Sequence, residues 1–510
     1  MQGSGEWRDF GLRRNRLFGE LWPVLLFTAL GFLVMGYHPG AEDDGVYLTA
    51  VKADLNPHLF LHDAPFFQLQ MRNSTFDTWM AHFVRVTGTP LSWAELLGQL
   101  ASIFLVLGAC RSIAGRLFSE TAARWAAVAM VAVMLTLPVA GTALFVMDQY
   151  LHPRNLATAL ILIGVSRILA GRPWQAVPLV ALAMLLHPLM GVFGVSFCGV
   201  LALTLSEPIR VRLRRLRTRL VAAGATSVAA IFPLGWIFEP PTPTWLEALR
   251  SRHWFRVYEW KWYEWVGAIA PLALFWLVAR VARQRGETNL ALFATAVFIY
   301  GVFQQAVAMV LLGPRALIVF SALEPMRYLQ LVYVFMALVG GAYLGRYVLR
   351  ARVGRWAVFL VVSSGGMCLA QRQLFPASEH IEFPFTPPAS DWLQAFDWIK
   401  HNTPEDAYFA LNPHYLAAPG EDYHSFRALA ERSQLADAIK DTAVITKVPE
   451  LGPEWKRELD AQAGWTYFQL ADFERLKTEF GVDWVLVAYP QPPGLACPWH
   501  NSTLAVCQIP

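Results

Sequence analysis

The stretch Tyr37-His38-Pro39-Gly40-Ala41-Glu42-Asp43-Asp44-Gly45-Val46-Tyr47 sets three consecutive carboxylates directly after an apolar run over 17–37. A helix rises 1.5 Å per residue, so that run matches the roughly 30 Å hydrocarbon core of a bilayer. Arg8, Arg13, Arg14 and Arg16 precede it. Basic residues are retained on the cytoplasmic side, so the run reads as a signal-anchor helix that is kept, with its N-terminus inside. The carboxylates then emerge at the opposite membrane–water boundary.

The rest of the composition agrees. The chain has 510 residues, of which 55% are apolar, 13% aromatic and only 16% charged. That is too apolar for an ordinary water-soluble protein and too poor in basic clusters outside loops for a nucleic-acid partner. The expected partner is the lipid bilayer.

Further apolar segments recur at 93–110, 122–146, 155–170, 174–188, 189–205, 220–238, 265–281, 289–312, 328–345 and 356–371. With the first run they predict about eleven spans, and hence a mainly α, polytopic helical bundle. The run 174–205 is divided at His187-Pro188, because proline interrupts the helical hydrogen-bond ladder. With that division, the clusters around Arg111–Arg124, Arg167–Arg172, Arg210–Arg219, Arg280–Arg285 and Arg346–Arg355 all fall on the side of the N-terminus. This is the positive-inside pattern expected of a bacterial inner (plasma) membrane protein.

Four regions follow: a cytoplasmic N-terminus over 1–16, a bundle over 17–371, a Pro-rich linker over 372–390, and an extracytoplasmic α/β domain over 391–510. Within the bundle, 38–92 is a long first external loop. It contains an amphipathic piece around Phe76–Phe83 suited to a membrane surface. A second external segment, about 239–264, is crowded with Trp245, Trp254, Tyr258, Trp260, Trp262, Tyr263 and Trp265, as at an interfacial aromatic belt. In the last region Asp391–His401 and Leu470–Phe480 read as helices, and Ala407–Leu411, Asp483–Ala488 and Thr503–Ile509 as strands. Cys497 and Cys507 are spaced as a hairpin could bridge them, and outside the cytoplasm a disulfide is expected. Cys110, Cys198 and Cys368 lie in or beside apolar runs and read as packing residues.

The span centres hold almost no ionisable residues, which argues against an ion-coupled pump. Polar groups collect at the external ends instead: Glu42, Asp43 and Asp44; Asp148, His152 and Arg154; His187; and Glu324 with Arg327. Carboxylates there can take a proton from an attacking hydroxyl, or two from different loops can hold a divalent cation such as Mg or Mn against a phosphate. An arginine at the mouth of a span can grip a phosphate through two parallel hydrogen bonds. Each group also has a plainer use: Asp-Asp-Gly as a turn, Arg327 snorkelling at the interface, Arg154 paired with Asp148, His187 satisfied at a kink. His58 and His62 have metal-ligand spacing, but Pro65 ends any helix that would carry them.

A first span ending in Glu42-Asp43-Asp44 at the head of a long external loop, Asp148 after the third span, many spans and a terminal extracytoplasmic domain together resemble the GT-C superfamily of membrane glycosyltransferases. The second loop, Met147-Asp148-Gln149-Tyr150, lacks that family's paired acids. The resemblance extends to uncharacterised bacterial multi-span proteins of the same architecture. It implies that Asp43 or Asp44 acts as catalytic base or metal ligand, and that Arg327, with Arg154, binds the phosphate of a polyprenyl-phosphate-linked sugar. Asp148, Glu42, His152 and His187 would be metal-binding or supporting groups. The acceptor and the need for a cofactor are left open by the sequence.

The expected function is therefore glycosyl transfer at the outer face of the inner membrane. A transporter or flippase of a lipid-linked intermediate is the first alternative, although half-repeats and midplane polar groups are missing. A non-catalytic membrane protein with a partner-binding external domain is the second, and would leave Asp43, Asp44, Asp148 and Arg327 scattered.

Overall fold

The computed structural model describes residues 4–207, 241–313 and 315–510. The expected span at 220–238 and the arginine cluster Arg210–Arg219 lie outside the described residues.

The first run forms one continuous helix, α1 (Ser4–Met35), which stops where Gly36 takes a left-handed φ of 79°. A side chain at Gly36 would meet the carbonyl oxygen of His380 at 2.6 Å, so both the turn and the close approach require glycine. The loop that follows is largely helical: α2 (Asp44–Leu55), α3 (Pro65–Met71) and α4 (Phe76–Thr87), the last on the amphipathic piece read from the sequence. Then come α5 (Leu91–Leu117), α6 (Thr121–Val133), α7 (Pro153–Leu169), α8 (Ala176–Leu186) and α9 (Pro188–Leu205). Beyond residue 240 the described helices continue as α10 (Pro243–Arg250), α11 (Trp262–Gln284), α12 (Thr288–Leu312), α13 (Leu329–Leu344) and α14 (Val353–Leu374).

Among the described residues, six segments are long and apolar enough to cross a membrane: Leu91–Leu117, Pro188–Leu205, Trp262–Gln284, Thr288–Leu312, Leu317–Leu349 and Val353–Leu374. The apolar stretches Gly19–Met35, Thr121–Val133 and Pro173–Leu186 are shorter. Length and composition thus establish a multi-pass membrane protein without reaching eleven spans. Many of these helices carry exposed large apolar side chains, among them Leu26, Leu33, Val195, Trp276, Leu277, Phe303, Val361 and Val362. Such a girdle is unfavourable in water and suits lipid. Buried between the helices is a continuous core that includes Phe197, Phe275, Phe293, Tyr300 and Phe335.

One expectation for the bundle changes and another holds. The apolar run 122–146 is not one span: α6 ends at Val133, and the chain turns back through a small hairpin of β1 (Pro138–Val139) and β2 (Leu144–Phe145). Pro138 cannot continue a helix, and Gly141 has φ 62° with the Trp260 ring where a side chain would stand. The break at His187-Pro188 is present, with Pro188 opening α9 and His187 Nδ1 accepting the backbone N–H of Met190 at 3.3 Å.

After α14 the chain runs without helix to α15 (Asp391–Asn402), which Ser390 caps. A five-stranded sheet then forms in the order β4-β3-β5-β7-β6, from β3 (Tyr408–Leu411), β4 (Ser433–Gln434), β5 (Trp484–Ala488), β6 (Ala496–His500) and β7 (Leu504–Gln508). β3 lies parallel to β4 and β5, while β7 is antiparallel to β5 and β6. The predicted strands at 407–411, 483–488 and 503–509 and the helix Leu470–Phe480 are all present. Cys497 and Cys507 are disulfide-bonded across the β6–β7 hairpin.

The sheet region is held tightly to the loop after α1. Ala41 and His424 form a β-bridge, Glu42 N–H donates to Tyr423 O at 2.9 Å, and Ser425 N–H donates to Gly40 O at 2.9 Å. Arg427 is buried between two carboxylates, Nε at 2.5 Å from Asp63 and the guanidinium fork at 2.7 and 3.0 Å from Asp441. Lys52 of α2 donates to Glu431 and to Ala428 O, each at 2.7 Å. Removing one member of such a buried set strands a charge, so these contacts fix the register of loop against sheet.

Candidate functional site

The acidic stretch divides at the start of α2. Asp43 is the N-cap and Asp44 the first helical residue, and successive positions on a helix point about 100° apart. Asp44 is buried and accepts the N–H of Gly40 at 2.6 Å through Oδ2. Burial, with Asp148 and Asp43 nearby, pushes its carboxyl above the usual range despite the Gly40 hydrogen bond and Lys52. Gly45, read in the sequence as part of an Asp-Asp-Gly turn, is demanded by packing: a side chain there would stand 2.4 Å from Ser425 Cβ.

Asp43 faces the other way, into an enclosed cavity whose wall includes His152, Arg154, His187, Arg252, Glu324, Arg327, Lys440 and Lys447. Partial burial opposes its ionisation, but Lys440 and Arg154 outweigh that and hold the carboxyl well below its ordinary value. Lys440 Nζ lies 2.5 Å from Glu42 Oε2 and 3.3 Å from Asp43 Oδ1, while Tyr150 Oη accepts the Asp43 N–H at 3.3 Å. Glu42 reaches this position with a left-handed φ of 52°, a conformation that a non-glycine residue adopts at a cost of about 1–2 kcal/mol.

Asp148 and Arg154 form the floor. Arg154 Nε and Nη2 bind the two Asp148 oxygens at 3.0 and 2.7 Å, and the same Nη2 stands 4.0 Å from Asp43 Oδ2. A guanidinium therefore occupies the space between the two loop carboxylates, and it consumes both Asp148 oxygens. That geometry does not suit a divalent cation shared by Asp43 and Asp148. His152 Nδ1 accepts the Arg154 N–H at 2.9 Å, and its ring lies 5.8 Å from that of His187. Burial and the Arg154 charge keep His152 well below its ordinary value, hence neutral.

Arg327 pairs with Glu324 at 2.7 Å. Several donors on this wall are buried without a hydrogen-bond partner: Arg154 Nη1, Arg327 Nε, and Arg252 Nε and Nη2. Five cationic side chains thus face two carboxylates, with unspent N–H groups among them. An unsatisfied buried donor is costly, and an anion with several oxygens would relieve it.

The structure brings together Asp43, Arg154, Arg327, His152 and His187 on one cavity, with Asp148 beneath it and Glu42 at its edge through Lys440. Asp44 it turns away. Sequence reading missed Arg252, Lys440 and Lys447. Arg252 sits among the aromatics of a loop whose other residues read as interfacial, and Lys440 had no signal, being brought in by the sheet region. His58 and His62 do not share a helix, and His62 stacks on Tyr408 with ring centroids 4.5 Å apart.

Comparison with known proteins gives a short local match and some distant likenesses. A family described as "Domain of unknown function (DUF6798)" matches residues 390–444. No curated protein matches the chain. Among solved structures, the chain is similar to the archaeal oligosaccharyltransferase AglB from Archaeoglobus fulgidus, in complex with an inhibitory peptide and a dolichol-phosphate. The TM-score is 0.46 at 10% identity, over 93% of this chain and 70% of that one. The apo form of the Archaeoglobus fulgidus oligosaccharyltransferase gives 0.46 at 11% identity, over 92% and 69%.

Proposed function

We propose that the protein is a membrane glycosyltransferase that uses a polyprenyl-phosphate-linked sugar, acting at the outer face of a bacterial inner membrane. The observation that carries this reading is the cavity where Arg252 and Arg327 hold unpartnered buried donors beside an ionised Asp43. The positive-inside pattern of the loops supports the orientation, with the N-terminus cytoplasmic and the sheet region outside.

In this reading the donor phosphate sits against Arg252, Arg327 and Lys447. The acceptor hydroxyl approaches Asp43, which orients it and takes its proton as the new C–O bond forms. The bond between the anomeric carbon and the phosphate oxygen breaks on the opposite face, and its electron pair leaves with the phosphate. The arginines stabilise the charge that collects there. Arg154 holds Asp43 and Asp148 apart and favours the ionised form of both, and its own guanidinium supplies the charge that a shared cation would otherwise bring. Attack opposite the leaving group inverts the anomeric centre. A carboxylate beside an anion site at the membrane boundary is what this chemistry needs, and neither a flippase nor a passive scaffold calls for it.

The test is transfer of a labelled sugar from polyprenyl phosphate by the purified chain in lipid nanodiscs. Asp43→Asn should lower turnover at least a hundredfold while donor binding is kept. Full transfer by that variant would sink the mechanism.

A further inference from the structure

A second polar cluster lies away from the cationic cavity, where the loop after α1, the Pro-rich segment and the sheet region meet. His38, Glu382 and His424 each offer one ligand atom, and these atoms all lie within 4.8 Å of one another. His38 Nδ1 is 2.6 Å from Glu382 Oε1, and His424 Nε2 is 3.1 Å from Glu382 Oε2. We infer that these three side chains form a binding site for a zinc-type dication, which staples the three segments together.

Three observations support this. The donor set is chemically selective: two imidazoles and one carboxylate suit zinc and its borderline neighbours, whereas magnesium and calcium seek oxygen. The ligands are positioned in advance, because each is anchored through its backbone. His38 N–H donates to Gln149 O at 2.9 Å, Glu382 N–H to Tyr37 O at 2.9 Å, and His424 N–H to Glu421 Oε1 at 2.8 Å. Both rings are also held from outside the cluster: the other ring nitrogen of His424 faces Glu421 Oε1 at 3.7 Å, in ion-pair rather than hydrogen-bond range, and the His38 ring is stacked on Phe375 with centroids 3.8 Å apart.

The site also has an entrance. His38 and His424 are almost wholly buried, but Glu382 keeps 15% of its side chain exposed. It borders a cavity of about 530 Å³, which Lys52, Glu95 and Glu379 also line. A dication and the water completing its fourth position can arrive from that side. A proton shared between Glu382 and the imidazoles would hold the same three groups, so the experiment must separate proton from metal.

The full chain, purified without a histidine tag and stripped with chelator, is offered Zn(II) or Co(II) and analysed for metal content. We expect about one ion per chain, a cobalt absorption spectrum of the intense four-coordinate type, and a higher unfolding temperature. His38→Asn and His424→Asn should each reduce uptake at least tenfold, and Asp43→Asn should leave it unchanged. X-ray absorption on the zinc-loaded wild type, which needs no variant to fold, should show two imidazoles and light oxygen ligands. Absence of uptake by the folded wild type, unchanged uptake in the histidine variants, or a first shell without imidazole would each overturn the site in favour of the shared proton. The outcome is independent of sugar transfer.

Discussion

Lys440 Nζ contacts Asp43 at 3.3 Å across 397 residues of sequence, so a sheet-region lysine sets the charge state of a carboxylate in the first loop. Removing that cation raises the Asp43 pKa, because burial is then opposed mainly by Arg154. Transfer that requires ionised Asp43 must then fail at a higher pH. For Lys440→Ala the acid limb of the kcat–pH profile should move upward relative to wild type, with the plateau at high pH less affected. A profile that drops uniformly without moving would assign Lys440 a purely structural part.

Arg252 offers the cleanest probe of the proposed anion site, since its Nε and Nη2 are buried without a hydrogen-bond partner. Arg252→Ala should leave the unfolding temperature nearly unchanged. It should weaken binding of a polyprenyl phosphate about 10–100-fold, in line with a charge-assisted hydrogen bond of roughly 1.5–3 kcal/mol. Equilibrium binding of the lipid phosphate to both proteins checks this.

Arg154 should behave in the opposite manner. Its two bonds to Asp148 join a buried pair, and deleting the guanidinium leaves a carboxylate in the interior without its partner. Arg154→Ala should cost about 3–5 kcal/mol of stability. Thermal unfolding in detergent would show it, and Arg154→Ala/Asp148→Asn should recover part of the loss.

Glu458 links stability to pH in the sheet region. Burial pushes its carboxyl from an ordinary 4.5 to about 8, against the hydrogen bond that its Oε2 accepts from Ala436 N–H at 2.6 Å. The folded chain holds this proton more tightly than the unfolded chain does. The contribution is therefore complete below about pH 4.5 and is lost as pH rises through about 8. Glu458→Gln should flatten that part of the stability profile, measured by unfolding temperature against pH.

The Cys497–Cys507 bond closes a short loop, with a sequence separation of 10. Loop-closure entropy puts its removal at roughly 2–3 kcal/mol. Replacing both cysteines by serine should leave metal uptake and lipid-phosphate binding intact, while proteolysis at the β6–β7 hairpin quickens.

Sequence periodicity revealed the elements of the sheet region because each is bounded by its own stop signals, as Asn402-Thr403-Pro404 bounds α15. It also gathered Asp43, Arg154, Arg327 and His187 at one end of the bundle, through the alternation of basic loops. It could not resolve the hairpin at β1 and β2, since uniform apolarity hides a chain reversal that only Pro138 and Gly141 mark. Nor could it separate Asp43 from Asp44: a single residue step at the start of α2 sends one carboxylate into the cavity and the other against Gly40. Arg252, Lys440 and the His38–Glu382–His424 cluster are products of tertiary packing, and no local pattern encodes them.

The distance along the chain between Asp43 and Lys440 has a consequence for biosynthesis. At about 5–20 residues per second, the ribosome needs roughly 20–80 s to make the 397 residues that separate them. Throughout that interval the first loop is already made, while the lysines that complete the cavity wall do not yet exist. A nascent or prematurely terminated chain carries Asp43 and Arg154 but neither Lys440 nor Lys447, so the cavity wall is incomplete. The wall closes only once the sheet region has been made.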